Sequence, residues 1–365
     1  MAADRWNALN DVPDFPPHRL GPLADRLARI LKTRNDILLF QTEAVVALEA
    51  VATSIARPGL TALNIVTSPF GAWFGDWLRR GGADVVTLSA EPALPIDIES
   101  VEAAFDAHPQ VKAVILCHAE SANGVLNPLA EIAAAARARG IVTIVDAVAS
   151  VGGHALDVDA LGIDSAVIGP QKSLAGPAGV SALSVGRAAW ALVSAAGGRR
   201  SSTLSLLDRH DWLDSGRGAL PGTAAPLEFF ALEAALDRFE AEGADAVLAR
   251  HPRAAAASRD GLLALGACPW ADFGRASHLV TTAALPEAVD PETFLAAAVP
   301  LDMELSAGIG PGAARLVRLN HTGRRARFDS VLGNVLAYGI ALQKCGAPAD
   351  LAAAAAAVAA HYGAD

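Results

Sequence analysis

Short apolar runs alternate along the chain with segments of helical period. LADRLARIL (23–31) carries apolar positions at helical spacing, DILLF (36–40) is a short apolar strand, and EAVVALEAVATSIA (43–56) is a helix stopped by Pro58-Gly59. TALNIVT (61–67) reads as a strand, FGDWLRRGG (74–82) as a glycine-closed helix, and DVVTLS (84–89) as a further strand. The clearest stretch runs from the apolar strand VKAVILC (111–117) through the helix NPLAEIAAAARARG (127–140) to IVTIVDAV (141–148). SAVIG (165–169) and VSALSVG (180–186) add two strands. Strands apolar on both faces, separated by amphipathic helices, predict an α/β fold with a mostly parallel sheet covered on both sides. Functional groups then belong at the carboxyl ends of its strands.

The pattern changes after the long helix PLEFFALEAALDRFEAEG (226–243). HLVTTAALP (278–286), a helix from Pro291, RLVRLNHTG (315–323) and a helix over 328–343 predict a smaller α+β unit, and the alanine run DLAAAAAAVAAHYGAD predicts a terminal helix. The expected division is an irregular arm over 1–22, a large domain over 23–245 and a small C-terminal domain over 246–365. The 365-residue length, more than one core usually serves, agrees with two domains.

Composition narrows the function classes. Hydrophobic residues make up 52% and charged residues 19%, a globular balance. The formal charge of −10 and pI of about 5.4 disfavour nucleic acid and anionic membrane as partners. No apolar run reaches the ~18–20 residues that span a bilayer, and the first residues lack an apolar signal core. Cys117, Cys268 and Cys345 have no metal-ligand spacing and read as reduced thiols of a cytoplasmic protein; no metal is expected.

Two residues suggest chemistry. Asp146 ends the apolar strand IVTIVD, where a carboxylate is costly to bury without a partner. Lys172 follows SAVIG in a turn rich in proline and glycine. Each alone has an ordinary explanation, a strand-end hydrogen bond or a solvated loop lysine. Together, at the carboxyl ends of strands expected to be parallel, they suit pyridoxal chemistry. A carboxylate pairs with the protonated pyridine nitrogen, and a lysine condenses with the aldehyde and acts as base in the proton shift.

The stretches HAESANG, VDAVAS-GG and GPQKSL-GP-G resemble class V aminotransferases of the alanine–glyoxylate (serine–pyruvate) type, over about residues 36–343. The resemblance implies a fold-type I enzyme bound to pyridoxal 5′-phosphate, with active sites shared across a homodimer or homotetramer. It makes Lys172 the Schiff-base lysine and Asp146 the partner of the ring nitrogen. Val148 would pack on one ring face and Phe70 on the other, with Ser121 near the phenolic oxygen. Gln171 is implied among the cofactor contacts. Arg318 would grip the substrate carboxylate, and Thr223 would reach the partner subunit's cofactor.

Glu43, Ala44 and Val45 stand where that family places small phosphate-binding residues, and Leu220 replaces a tyrosine three residues before Thr223. One branch of the family, acting on pyridoxamine and pyruvate, shows the same changes and binds unphosphorylated pyridoxal and pyridoxamine as substrates. A second arginine of that branch falls on Ile309 here, with Arg315 as a candidate substitute. The expected function is transfer of an amino group, from pyridoxamine or another pyridoxal-bound amine, to a small 2-oxo acid such as pyruvate. A phosphate-bearing alanine- or serine-type aminotransferase, a pyridoxal-phosphate lyase on the same scaffold, and a non-catalytic fold relative remain the alternatives.

Overall fold

The computed structural model describes residues 12–197, 200–220 and 222–363. The first eleven residues of the expected arm lie outside these. The helix expected over 23–31 spans Leu20–Leu31.

Seven strands form one sheet: β1 (Asp36–Phe40), β2 (Thr61–Val66), β3 (Asp84–Ser89), β4 (Ala113–Cys117), β5 (Val142–Asp146), β6 (Ser165–Ile168) and β7 (Ser181–Val185). Their order is β1-β7-β6-β5-β4-β2-β3. Pairs from β3 through β6 are parallel, and β7 is antiparallel to both β1 and β6. So β7 alone runs against the other six, and six carboxyl ends share one edge of the sheet. The sheet is covered on both faces. In β4, Val114 and Leu116 join the core on one side while Ala113 and Ile115 join the core on the other.

A second, antiparallel sheet of order β10-β11-β9-β8 uses β8 (Cys268–Pro269), β9 (Val280–Ala284), β10 (Leu305–Ala307) and β11 (Leu316–Asn320). The helices Ala244–Ala264 and Phe328–Lys344 close its core around Phe294 and Tyr338. The helix expected over 74–82 begins earlier, at Pro69, because Ser68 accepts a hydrogen bond from the Phe70 amide and proline suits a first helical turn. No described helix is long and apolar enough to cross a membrane.

A group of imidazoles lies where the two sheets meet. His118, His154 and His278 lie in series, with centroids 5.4 and 4.8 Å apart, the first pair tilted and the second stacked. His154 Nε2 accepts from the His278 amide, and His251 Nε2 accepts from the Gly323 amide. Burial lowers His118 and His251 to about 4 and His321 to about 3. These groups take up protons more readily when the chain unfolds, so their contribution is present above the unfolded value near 6.5 and lost as pH falls toward 4. A shift from ~6.5 to about 4 corresponds to on the order of 3 kcal/mol for one group. Asp146, raised to about 7, and Glu120 and Asp164, both raised by burial, oppose this by taking up protons on folding. The melting temperature is therefore expected to fall steeply between pH 6.5 and 4, with a smaller fall in His251→Gln. A flat profile over that interval, followed by differential scanning calorimetry, contradicts the assignment.

Candidate active site

The shared edge of carboxyl ends carries a cavity lined by Glu43, Ala44, Val45, Phe70, Ser121, Asp146, Val148 and Lys172, all singled out in the sequence. Strand register explains part of this. Cys117 and Asp146 are paired terminal residues of β4 and β5, so both project from the same sheet face into the cavity floor. The Asp146 carboxylate accepts from the Val148 amide at 3.0 Å. Surrounding protein pushes the carboxyl up to about 7, opposed by that hydrogen bond and raised further by the nearby Glu120. A cation placed against it draws it into the charged form.

Lys172 lies four residues beyond β6 in a turn closed by Lys172 N–Gly169 O and Ala175 N–Lys172 O hydrogen bonds. Two glycines make room for this turn. A Cβ on Gly169 would stand 2.4 Å from Val148 Cγ1, and one on Gly323, at φ +60°, would stand 2.7 Å from the Lys172 carbonyl oxygen. The ammonium is 3.5 Å from Ser121 Oγ. Burial, then the Arg318 charge, lowers its pKa, while Glu43 and Asp146 pull the other way. An amine with a lowered pKa, facing a carboxyl, is suited to nucleophilic addition and to proton transfer.

Glu43 is the N-cap of the helix Ala44–Ile55, and its Oε2 accepts from the Val45 amide at 2.7 Å. Its Oε1 accepts from Gln171 Nε2 at 2.7 Å. The carboxylate thus holds the helix terminus that would otherwise attract an anion. Gln171 Oε1 is buried without a partner, leaving an unmatched acceptor beside it. A carboxylate and an amide oxygen side by side suit a hydroxyl donor. They do not suit a phosphate, which brings only acceptors and more negative charge.

Arg318, on β11, lies in an adjoining chamber that shares Ser121 and Lys172 with the first. It donates to Ser121 O from Nη1 and to Ala307 O from Nε, both at 2.8 Å. Gln171 lines this second chamber. Thr223 is exposed and lines neither chamber. Arg315 does not take the place of the missing arginine: it donates to the Pro286 and Val289 carbonyls and ties down that turn.

Glu120 was not anticipated. It lines the ring cavity, is 1% exposed, and accepts from Thr67 Oγ1 at 2.7 Å. Asn127 donates to the same Thr67 oxygen and Asn123 to the Thr67 carbonyl, so this network fixes the lead into the helix bearing Phe70. An acid among small residues directly after a buried strand, as in CHAESANG, is the signal that marks it.

Comparison with known proteins agrees with this architecture. Residues 24–297 match the family model described as aminotransferase class V. Over 328 residues the chain is 31% identical to the pyridoxamine–pyruvate transaminase of Mesorhizobium japonicum, covering 89% of this chain and 83% of that one. It is 28% identical over 353 residues to the alanine–glyoxylate aminotransferase of Callithrix jacchus, covering 94% and 84%. The crystal structure of pyridoxamine–pyruvate aminotransferase from Mesorhizobium loti aligns with a TM-score of 0.90 at 29% identity, covering 96% of this chain and 90% of that one. The chain belongs to the class V aminotransferase family.

Proposed function

We propose that the protein transfers the amino group of pyridoxamine to a 2-oxo acid, releasing unphosphorylated pyridoxal and an amino acid. The observation that carries this is the Glu43 carboxylate, bonded to the Val45 amide and to Gln171, at the helix end where a phosphate would bind. In the exchange, the C–N bond at the ring's exocyclic carbon breaks and a C–N bond forms at C2 of the acid. The ring carbon loses two electrons and the acid's C2 gains them. The carbonyl oxygen passes between them by way of water. When bound, the ring supplies an aldehyde–amine carbon and an electron-withdrawing nitrogen.

The protein's residues do the rest. Asp146 holds the proton on the ring nitrogen, and Phe70 and Val148 confine the ring. Lys172 adds to the exocyclic carbon and carries the proton between that carbon and the acid's C2. Ser121, 3.5 Å away, fixes the ammonium. Arg318 orients the acid's carboxylate, a task its planar fork suits. Gln171 Oε1 accepts from the ring's hydroxymethyl group. Exposed Thr223 belongs to the partner subunit's site in a homodimer or homotetramer of the cytoplasm, and the large and small domains meet near residue 245.

The experiment is direct. Purified protein with pyridoxamine and a panel of 2-oxo acids is expected to form pyridoxal, seen by its aldehyde absorbance, together with one new amino acid. Recovery of a tightly held phosphorylated ring from the purified protein, with no turnover of free pyridoxamine, rejects the proposal.

A further inference from the structure

The chamber beyond Lys172 has a volume of about 350 Å³. That is at the lower end of the ~300–1,000 Å³ of pockets that enclose drug-sized ligands, and more than a three-carbon acid fills. Arg318 lines it and donates to the Ser121 carbonyl. Ile309, where a second arginine was expected, hydrogen-bonds through its backbone to Ala122, and its apolar side chain supplies no charge. A second arginine does line the chamber, from another element. Arg325, in the turn Gly323–Arg325, forms a 2.7 Å ion pair with Glu304.

Both backbones of this pair are anchored. The Glu304 amide donates to Asn334 Oδ1, its carbonyl accepts from the Asn320 amide, and the Arg325 amide donates to the Thr322 carbonyl. Their side chains are 47% and 45% exposed, so the pair is half-solvated. An ion pair of that kind contributes about 0–1 kcal/mol and is readily exchanged. A carboxylate inside the chamber can replace Glu304 on the guanidinium while Glu304 turns to water.

We propose that Arg325 is a specificity-determining residue that receives the distal carboxylate of the acceptor, so the preferred acceptor is a dicarboxylic 2-oxo acid longer than pyruvate. Arg318 takes the carboxylate next to the reacting carbon, and Arg325 takes the far one. Asn320 and Thr322 line the polar wall between them. Glu304 guards Arg325 in the free enzyme and opposes capture of the second carboxylate. This inference rests on the amino-transfer function proposed above.

The test compares kcat/KM for 2-oxoglutarate with that for pyruvate, with pyridoxamine as donor, in the native enzyme, R325M and E304Q. The native enzyme is expected to favour 2-oxoglutarate. R325M is expected to lower the ratio by about 3- to 5-fold through KM, the scale of a half-exposed arginine–carboxylate pair. E304Q is expected to raise the ratio, because it removes a competing negative charge and leaves the arginine. Native preference for pyruvate, or a ratio within twofold of native in both variants, overturns the inference alone. Absence of transfer to either acid overturns the amino-transfer function, and this inference with it.

Discussion

Lys172→Ala is expected to lower amino transfer by roughly 10⁴-fold or more, the combined effect of losing a nucleophile and a general base. The side chain reaches the cavity from a turn clamped by three backbone hydrogen bonds, two of them its own, and no other described lysine lines either chamber. The cavity walls proposed to confine the ring, Asp146, Val148 and Phe70, remain in the variant. The loss therefore belongs in kcat, with ring affinity changed much less. Lys172→Arg is expected to behave alike, because a guanidinium stays protonated and does not serve as nucleophile or base. Single-turnover rates, measured beside ring binding by fluorescence quenching, separate the two effects. A Lys172→Ala enzyme within tenfold of the native rate leaves this lysine without a catalytic role.

That lysine was legible because strand ends are legible. Apolar runs such as IVTIVD and SAVIG identify buried strands, and a charged residue at or just past such a run has nowhere to go but the sheet's functional edge. Direction was not legible: VSALSVG is apolar on both faces whichever way it runs, and β7 proves antiparallel. Contacts between distant segments were the least visible. Gln171 and Glu43 are 128 residues apart, so their bond appears only when β1 and β6 end on the same edge. The same limit affected the arginines. Arg315, close to Arg318 in sequence, faces a different turn, whereas Arg325 comes into the chamber beside Glu304 because the turn at Gly323 packs on Lys172. Spacing along one strand sorts residues by face, but which loop closes over the site depends on packing between the two sheets.

Glu43→Ser is expected to shift the enzyme's preference between pyridoxal and its 5′-phosphate toward the phosphate by about 10- to 100-fold. In the native protein a phosphate placed at the Val45 amide meets a carboxylate already bonded there at 2.7 Å. Two unit charges ~4 Å apart repel by roughly 4 kcal/mol at an effective dielectric of ~20. A phosphate carries nearly two charges, but Glu43 is exposed on one side and solvent screens much of the repulsion, so about 1–3 kcal/mol is the usable range. Serine keeps a helix-capping oxygen, so the helix Ala44–Ile55 retains its N-cap while the negative charge and the bulk are removed. The freed helix terminus then offers amide donors and the positive end of its dipole to the phosphate. Glu43→Gln tests the charge alone: it keeps the bulk at the terminus and should recover part of the shift. Free pyridoxal is expected to bind the serine variant more weakly, because Gln171, whose Oε1 would accept from the hydroxymethyl group, loses the Glu43 carboxylate that fixes its amide. Dissociation constants for both ligands on the native and variant proteins decide the matter. A native protein that already prefers the phosphate, or a Glu43→Ser protein whose preference does not move, removes the electrostatic basis for a site built around the unphosphorylated ring.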